Sequence, residues 1–146
     1  IKRNFDSHPE IDTLIIDSPG GLIDEALKAA KIIEEQHITV IARKTCNSAA
    51  FIIFMAGDNR LADYNMNFGF HAASPLPNID PKYLDFETLG NDADEYISKR
   101  GTPQEIIDIS FSKGSKELFP VSSIKLLDIG VVSELVEIGQ AEHSEI

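Results

Sequence analysis

The stretch Thr45-Cys46-Asn47-Ser48-Ala49-Ala50-Phe51-Ile52-Ile53-Phe54-Met55-Ala56 limits what this chain can fold into more than any other. The eight residues after Ser48 are apolar on every face, which predicts a helix buried all round. The rest of the chain must therefore be arranged to cover it. The segment joins a strand to this helix through small residues and sets one hydroxyl at the junction. The first turn of such a helix leaves backbone N–H groups unpaired, facing Ser48. A serine there is either an N-cap or a nucleophile, and the run alone does not choose.

Covering a fully buried helix takes a real core. The 146 residues are enough for one domain, with 42% hydrophobic and 25% charged residues. Asp12 to Asp17 reads as a buried strand, closed by the turn Ser18-Pro19-Gly20-Gly21. Leu22, Ala26, Ala29, Ala30, Ile32 and Ile33 then repeat at helical spacing as far as Gln36, and His37 to Ala42 is the next strand. Strand, helix, strand in this order predicts a βαβ unit with a parallel sheet.

After the Ser48 helix, Arg60 to Asp63 and Asn67 to His71 read as two short strands around the Tyr64-Asn65 turn. Pro75, Pro77 and Pro81 mark a loop. Tyr83, Leu84, Phe86, Leu89, Tyr96 and Ile97 then predict a helix over 81–100, with a candidate break near Gly90-Asn91. Thr102 as cap and Pro103 at the first position predict a further helix to about Ser112. Ser122 to Asp128 is a short helix with Gly130 in a C-cap position, and Val131 to Val136 closes as a strand. The chain opens at Ile1 with the end of a helix and a loop. The expectation is a fragment with one or more N-terminal strands missing, any address signal upstream of Ile1, and a frayed tail over 137–146.

Charge and cysteine usage exclude several functions. The net charge is −11, from 13 basic and 24 acidic residues. No basic stripe for nucleic acid is present, and anionic membrane surfaces are disfavoured. One cysteine allows neither an internal disulfide nor a cysteine-rich zinc site. Cys46 reads as a small buried filler. His8, His37 and His143 have no metal-ligand spacing and read as surface residues. No metal or other cofactor is expected. The G-x-x-x-x-G-K-[ST] pattern is missing, so nucleotide binding is not expected either.

Three ordered motifs carry a resemblance: strand-Ser18-Pro19-Gly20-Gly21-helix, Ser48-Ala49-Ala50 at a buried helix, and a strand ending in Phe70-His71. Together with the helix-turn-strand of residues 122–132, they resemble the ClpP/crotonase superfamily. Within it, they are similar to the Clp-type and signal-peptide-peptidase-like serine peptidases. The resemblance covers roughly residues 12–136. It implies a single α/β domain over 1–146, a ClpP/crotonase-like fold of repeated β-β-α units with a helical arm. It implies a serine peptidase that hydrolyses peptide bonds through an acyl-enzyme.

Residue by residue, Ser48 is the nucleophile and His71 the base that accepts its proton. The N–H groups of Gly20, Gly21 and Ala49 are candidate oxyanion donors. Leu22, Ile23 and Ala72 are placed to pair with an extended substrate, by strand addition along Leu22-Ile23 and the Ala72-Ala73-Ser74 loop. Where the Clp branch carries an acid ahead of the closing helix, this chain reads Lys113-Gly114-Ser115-Lys116-Glu117-Leu118-Phe119-Pro120. Glu117 is the nearest acid, Asp92 and Asp94 are more remote, and a Ser48–His71 dyad oriented by water or backbone stays open. No lysine stands out as the alternative base.

Two further classes compete: a catalytically silent Clp-like peptide-binding or assembly subunit, and a crotonase-type acyl-CoA enzyme, which needs a carboxylate base in its pocket. The resemblance also implies a homo-oligomer. Its surface is expected over 81–112, because Phe86, Leu89, Ile106, Ile107 and Phe111 exceed what one small domain readily buries. A separate ATPase or membrane partner is compatible with it, and the compartment stays open between cytoplasm and cell envelope.

Overall fold

The computed structural model describes residues 2–73 and 86–137. Its elements are α1 (Lys2–Ser7), β1 (Thr13–Ser18), α2 (Ile23–Gln36), β2 (Thr39–Asn47), α3 (Ala49–Met55), β3 (Asn59–Asp63), β4 (Asn67–Phe70), α4 (Phe86–Lys99), α5 (Gln104–Ile107), β5 (Phe119–Ser122), α6 (Ser123–Asp128) and β6 (Glu134–Val136). The architecture is α/β, as the strand-helix-strand pattern predicts. The 74–85 loop with its three prolines, and the 138–146 end of the expected tail, lie outside the described residues.

β2 organises the sheet, and it is longer than its β-branched start indicates. Its first half pairs in parallel with β1 and β3, Val40 facing Leu14 and Arg60. Its second half pairs in parallel with β4, Cys46 facing Phe68. Between the halves Lys44 takes φ 57°, and the β1 register jumps from Ile16↔Ala42 to Ser18↔Cys46. Four β2 residues thus span two of β1, the signature of a bulge that re-aims the strand. β3 and β4 do not form a hairpin, although a turn joins them; each pairs with its own half of β2.

α3 packs on β1 and β2, α2 packs on α3, and α4 packs on both helices. Phe51, Ile52, Phe54, Met55 and Ala56 are fully buried, so the helix is covered as its sequence requires. Four phenylalanines join α3 to β4: the Phe51 ring lies 4.8 Å from Phe70, and the Phe54 ring 5.0 Å from Phe68, both edge-on. Each such pair contributes about 0.5–1.5 kcal/mol beyond area burial.

Several expected boundaries are corrected. α4 runs unbroken through Gly90-Asn91. A Cβ at Gly90 would stand 3.1 Å from the Phe111 carbonyl oxygen, so the glycine admits a close chain crossing there and marks no break. α5 stops at Ile107 rather than near Ser112. The Phe111 and Ser112 N–H groups donate to the Asp94 carboxylate instead of to carbonyls four residues back. Thr102 does not cap α5; Pro103 occupies the N-cap position and makes no side-chain cap bond. β5 was not expected, and it pairs antiparallel with β4, Phe70 facing Phe119. The burial argument for the 81–112 surface also fails in part. Ile106, Ile107 and Phe111 are buried in this chain's own core.

Candidate active site

The three motifs converge because three parallel strands end side by side. β1 runs into Pro19-Gly20-Gly21, β2 into Ser48, and β4 into His71. Ligand sites in open α/β sheets form outside the carboxyl ends of such strands. The registers Ser18↔Cys46 and Asn47↔Gly69 bring Gly20 and His71 to the level of Ser48 and Ala49. Ser48 N–H donates to the Gly69 carbonyl at 2.8 Å, fixing the junction to the strand that carries His71.

Ser48 occupies the N-cap position of α3, but its side chain makes no cap hydrogen bond. Capping, the ordinary role of a serine there, is absent. Its backbone stands at φ 54° and ψ −124°, in the region glycine favours. A non-glycine residue held there stores ~1–3 kcal/mol, a cost that clusters at functional sites. A serine on a strained strand-to-helix turn, with its hydroxyl uncommitted, has the build of a nucleophile elbow. The residue is 9% exposed.

Gly20 takes φ 117°, and a Cβ there would come within 3.0 Å of the Asn47 carbonyl oxygen and 3.1 Å of Ser48 Cβ. Only glycine lets this turn lie against the Ser48 junction. The Gly20 N–H donates to Ser18 Oγ at 3.2 Å, which leaves Gly21 as the turn's candidate oxyanion donor. The N–H groups of Gly21 and Ala49 have no partner among the described residues. Ser18 was not singled out from the sequence, where it read only as a turn residue.

Beside this turn a cavity of about 330 Å³ opens between α2 and α3. Ser18, Leu22, Ala26, Ala29, Ala50 and Ile53 line it, together with Gly20, Gly21, Ala49 and Glu25. Ala26 and Ala29 looked like ordinary helix core in the sequence; their small side chains are what leave the space. Leu22 is 47% exposed at the rim, whereas Ile23 packs against the core and does not line the cavity.

His71 Nδ1 lies 2.7 Å from the Ala72 carbonyl oxygen. A carbonyl oxygen only accepts, so Nδ1 is the donor, and in the neutral ring the lone pair then lies on Nε2, the tautomer a general base needs. The hydroxyl of Ser48 makes no hydrogen bond to this ring. The N–H groups of Ala72 and Ala73 donate to the Ser115 and Phe111 carbonyls, at 2.7 and 2.9 Å. They are therefore not open to a substrate strand, and Ser74 lies outside the described residues.

None of the three candidate acids contacts the imidazole. Asp94 is buried and spends both carboxylate oxygens on the Phe111–Ser112 backbone and the Ser112 hydroxyl. Asp92 is exposed on α4, and the exposed Glu117 side chain bonds to no described residue. Burial pushes the Cys46 thiol well above its ordinary range and keeps it neutral. Among the described residues no group of three His, Cys, Asp or Glu is placed to hold a metal ion, and no helix is long and apolar enough to cross a membrane.

No family model matches the chain, and no curated protein matches it. Solved structures do. ClpP1 from Listeria monocytogenes superposes with a TM-score of 0.66 at 24% identity, over 86% of this chain and 72% of that one. Its N165D mutant gives a TM-score of 0.61 at 23% identity over the same shares. The chain has a ClpP-like fold, consistent with the ClpP/crotonase architecture the motifs resemble.

Proposed function

We infer that this chain is a Clp-like serine peptidase that cleaves peptide bonds through an acyl-enzyme on Ser48. One observation carries the reading: a serine held at φ 54° with no capping bond, at the carboxyl end of β2 beside the strand that leads to His71. In this reaction Ser48 Oγ bonds to the scissile carbonyl carbon while its proton passes to His71 Nε2. The developing oxyanion takes the Ala49 and Gly21 N–H groups, where each donor is worth ~10²–10³ in rate. The proton then moves from Nε2 to the leaving amine, the C–N bond breaks, and water releases the acyl group by the reverse sequence. Ala72 O does part of the work of a third triad member, since it holds Nδ1–H. The cavity between α2 and α3 takes an apolar substrate side chain next to the scissile bond.

The acyl-CoA alternative needs a carboxylate base in the pocket. Glu25 is the cavity's carboxylate among the lining residues, but it is solvent-exposed and lies 3.4 Å from the Lys28 ammonium. The proposal includes assembly into a homo-oligomer, supported by Leu118, Phe119, Ile124 and Leu127, which stand exposed around β5 and α6. Sedimentation at micromolar concentration is expected to give a multiple of the chain mass; a monomer removes this part.

A fluorophosphonate probe with mass-spectrometric location of the adduct tests the chemistry. Labelling is expected at Ser48, and neither Ser48→Ala nor His71→Ala should label. A folded, assembled protein that stays unlabelled overturns the peptidase reading in favour of a silent peptide-binding subunit.

A further inference from the structure

The surroundings of His71 hold a second layer of order, on α4. Gly90 and Asp94 stand four residues apart, on one face of that helix. Both meet the same piece of chain: Phe111 O approaches Gly90, and the Phe111 and Ser112 N–H groups donate to Asp94 at 3.1 and 3.0 Å, with the Ser112 hydroxyl as a third donor. The segment is constrained again at Gly114, whose N–H donates to Ser110 O at 2.7 Å. A Cβ there would collide with the Ile109 and Ser110 carbonyls. The carbonyls of Phe111 and Ser115 then accept the Ala73 and Ala72 N–H groups, and Ala72 O accepts His71 Nδ1–H.

We propose that Asp94 is a positioning residue for His71: its carboxylate sets the 110–115 segment, that segment sets Ala72-Ala73, and Ala72 O sets the imidazole. Asp94 touches neither the ring nor a substrate. A carboxylate that accepts three hydrogen bonds in a buried site has no rotamer freedom to spare, and neither has the backbone it grips. The chain of bonds continues without a gap from α4 to Nδ1. Two polar deletions on α4 should then differ in kind. Losing Asp94 frees the imidazole, whereas losing the Tyr96 hydroxyl, which donates to Glu34 at 3.0 Å on another face, does not.

The consequence for catalysis rests on His71 being the base, but the geometric part does not, so the test reads the two separately. Protein with ¹⁵N-labelled histidine reports the His71 tautomer by NMR, the signal being the one missing from His71→Ala. Labelling of Ser48 by the fluorophosphonate is timed on the same samples across pH. The unsubstituted protein is expected to show Nδ1–H. Asp94→Ala should give a mixed tautomer and at least about tenfold slower labelling, because small misplacements of a catalytic group cost ~10²-fold.

Asp94→Asn, which keeps one acceptor, should fall between the two, and Tyr96→Phe should match the unsubstituted protein in both. If Asp94→Ala does not fold, the Asn variant and Ser112→Ala carry the test. An unshifted His71 signal in every folded Asp94 and Ser112 variant overturns the proposal, as does an equal shift in Tyr96→Phe. If no protein labels at all while the tautomer follows Asp94, the peptidase reading fails and the positioning role stands.

Discussion

The two ends of α3 are built in opposite ways. At its carboxyl end Arg100 Nε donates to Met55 O at 2.9 Å, and its Nη2 donates to Ala56 O and Gly57 O, both at 3.2 Å. Arg60 adds a contact to Gly57 O at 3.5 Å, and Arg100 also faces Glu34 at 3.6 Å. Of the orphan carbonyls that every helix carries, those of Ile53 and Phe54 accept the Ala56 and Gly57 N–H groups, and that of Met55 is closed by the Arg100 guanidinium. At its amino end, the serine makes no cap, the Ala49 N–H has no partner among the described residues, and the backbone is strained. The same helix is closed at its carboxyl end and left open at the Ser48 junction.

Three experiments probe this asymmetry, and a fourth its chemical backdrop. Arg100→Ala should have the largest effect, a loss of about 2–3 kcal/mol in denaturant unfolding, because hydrogen bonds to a charged donor are worth ~1.5–3 kcal/mol each and are only partly replaced by water. Labelling of Ser48 in the folded fraction should be unchanged; an unchanged midpoint would mean the closed end is decorative.

Gly20→Ala comes next, with about 1–2 kcal/mol lost from strain at φ 117° and about 10²-fold slower labelling as the turn backs away from Ser48. Faster or equal labelling would remove the turn from the site. Ser48→Gly should stabilise the protein by about 1 kcal/mol by relieving the positive φ, while labelling disappears. Ser48→Ala should abolish labelling without that gain, since alanine keeps the strain. A destabilised glycine variant would show that the junction is not strained.

The smallest effect is alkaline. Burial raises the Cys46 thiol from an ordinary 9.0. Burial, with the bond to Glu34 second, raises the Tyr96 phenol from 10.0. Both groups hold their protons in the folded chain where the unfolded chain releases them. Stability is therefore full below about pH 9 and falls as pH rises above it. Cys46→Ala should flatten the start of that decline and Tyr96→Phe its continuation, in urea midpoints taken from pH 8 to 11. A decline unaffected by either would assign it elsewhere.

What the sequence makes readable follows from what is local. The apolar run after Ser48, the glycine turn and the β-branched strands each carry their signal within a few residues, and the fold follows from their order. β5 is hidden because Phe119-Pro120-Val121-Ser122 is short and contains a proline, and it forms only because β4 is there to pair with. The length of β2 is hidden because Arg43 and Lys44 break its apolar pattern at the bulge. Gly90 and Asp94 read as a helix break and a stray acid, because their partner lies 17 or more residues ahead, in a segment with no periodicity. The site's elements are readable, but the bonds that hold Gly20 and His71 in place each have a backbone group at one end, the Gly20 N–H and the Ala72 carbonyl, which residue identity does not announce.

The fork in β2 has a consequence for how this protein fails. Ser48 and His71 hang from a ladder of three rungs, Thr45↔Asn67 to Asn47↔Gly69, set apart by the Lys44 bulge from the Thr39–Ala42 half that β1 and β3 enclose. What keeps so short a ladder closed is the apolar packing behind it, Phe68 and Phe70 being buried against Phe51 and Phe54 of α3. Loss of that packing would release the Ser48 and His71 junctions together while the Thr39–Ala42 half of the sheet stays paired to β1 and β3.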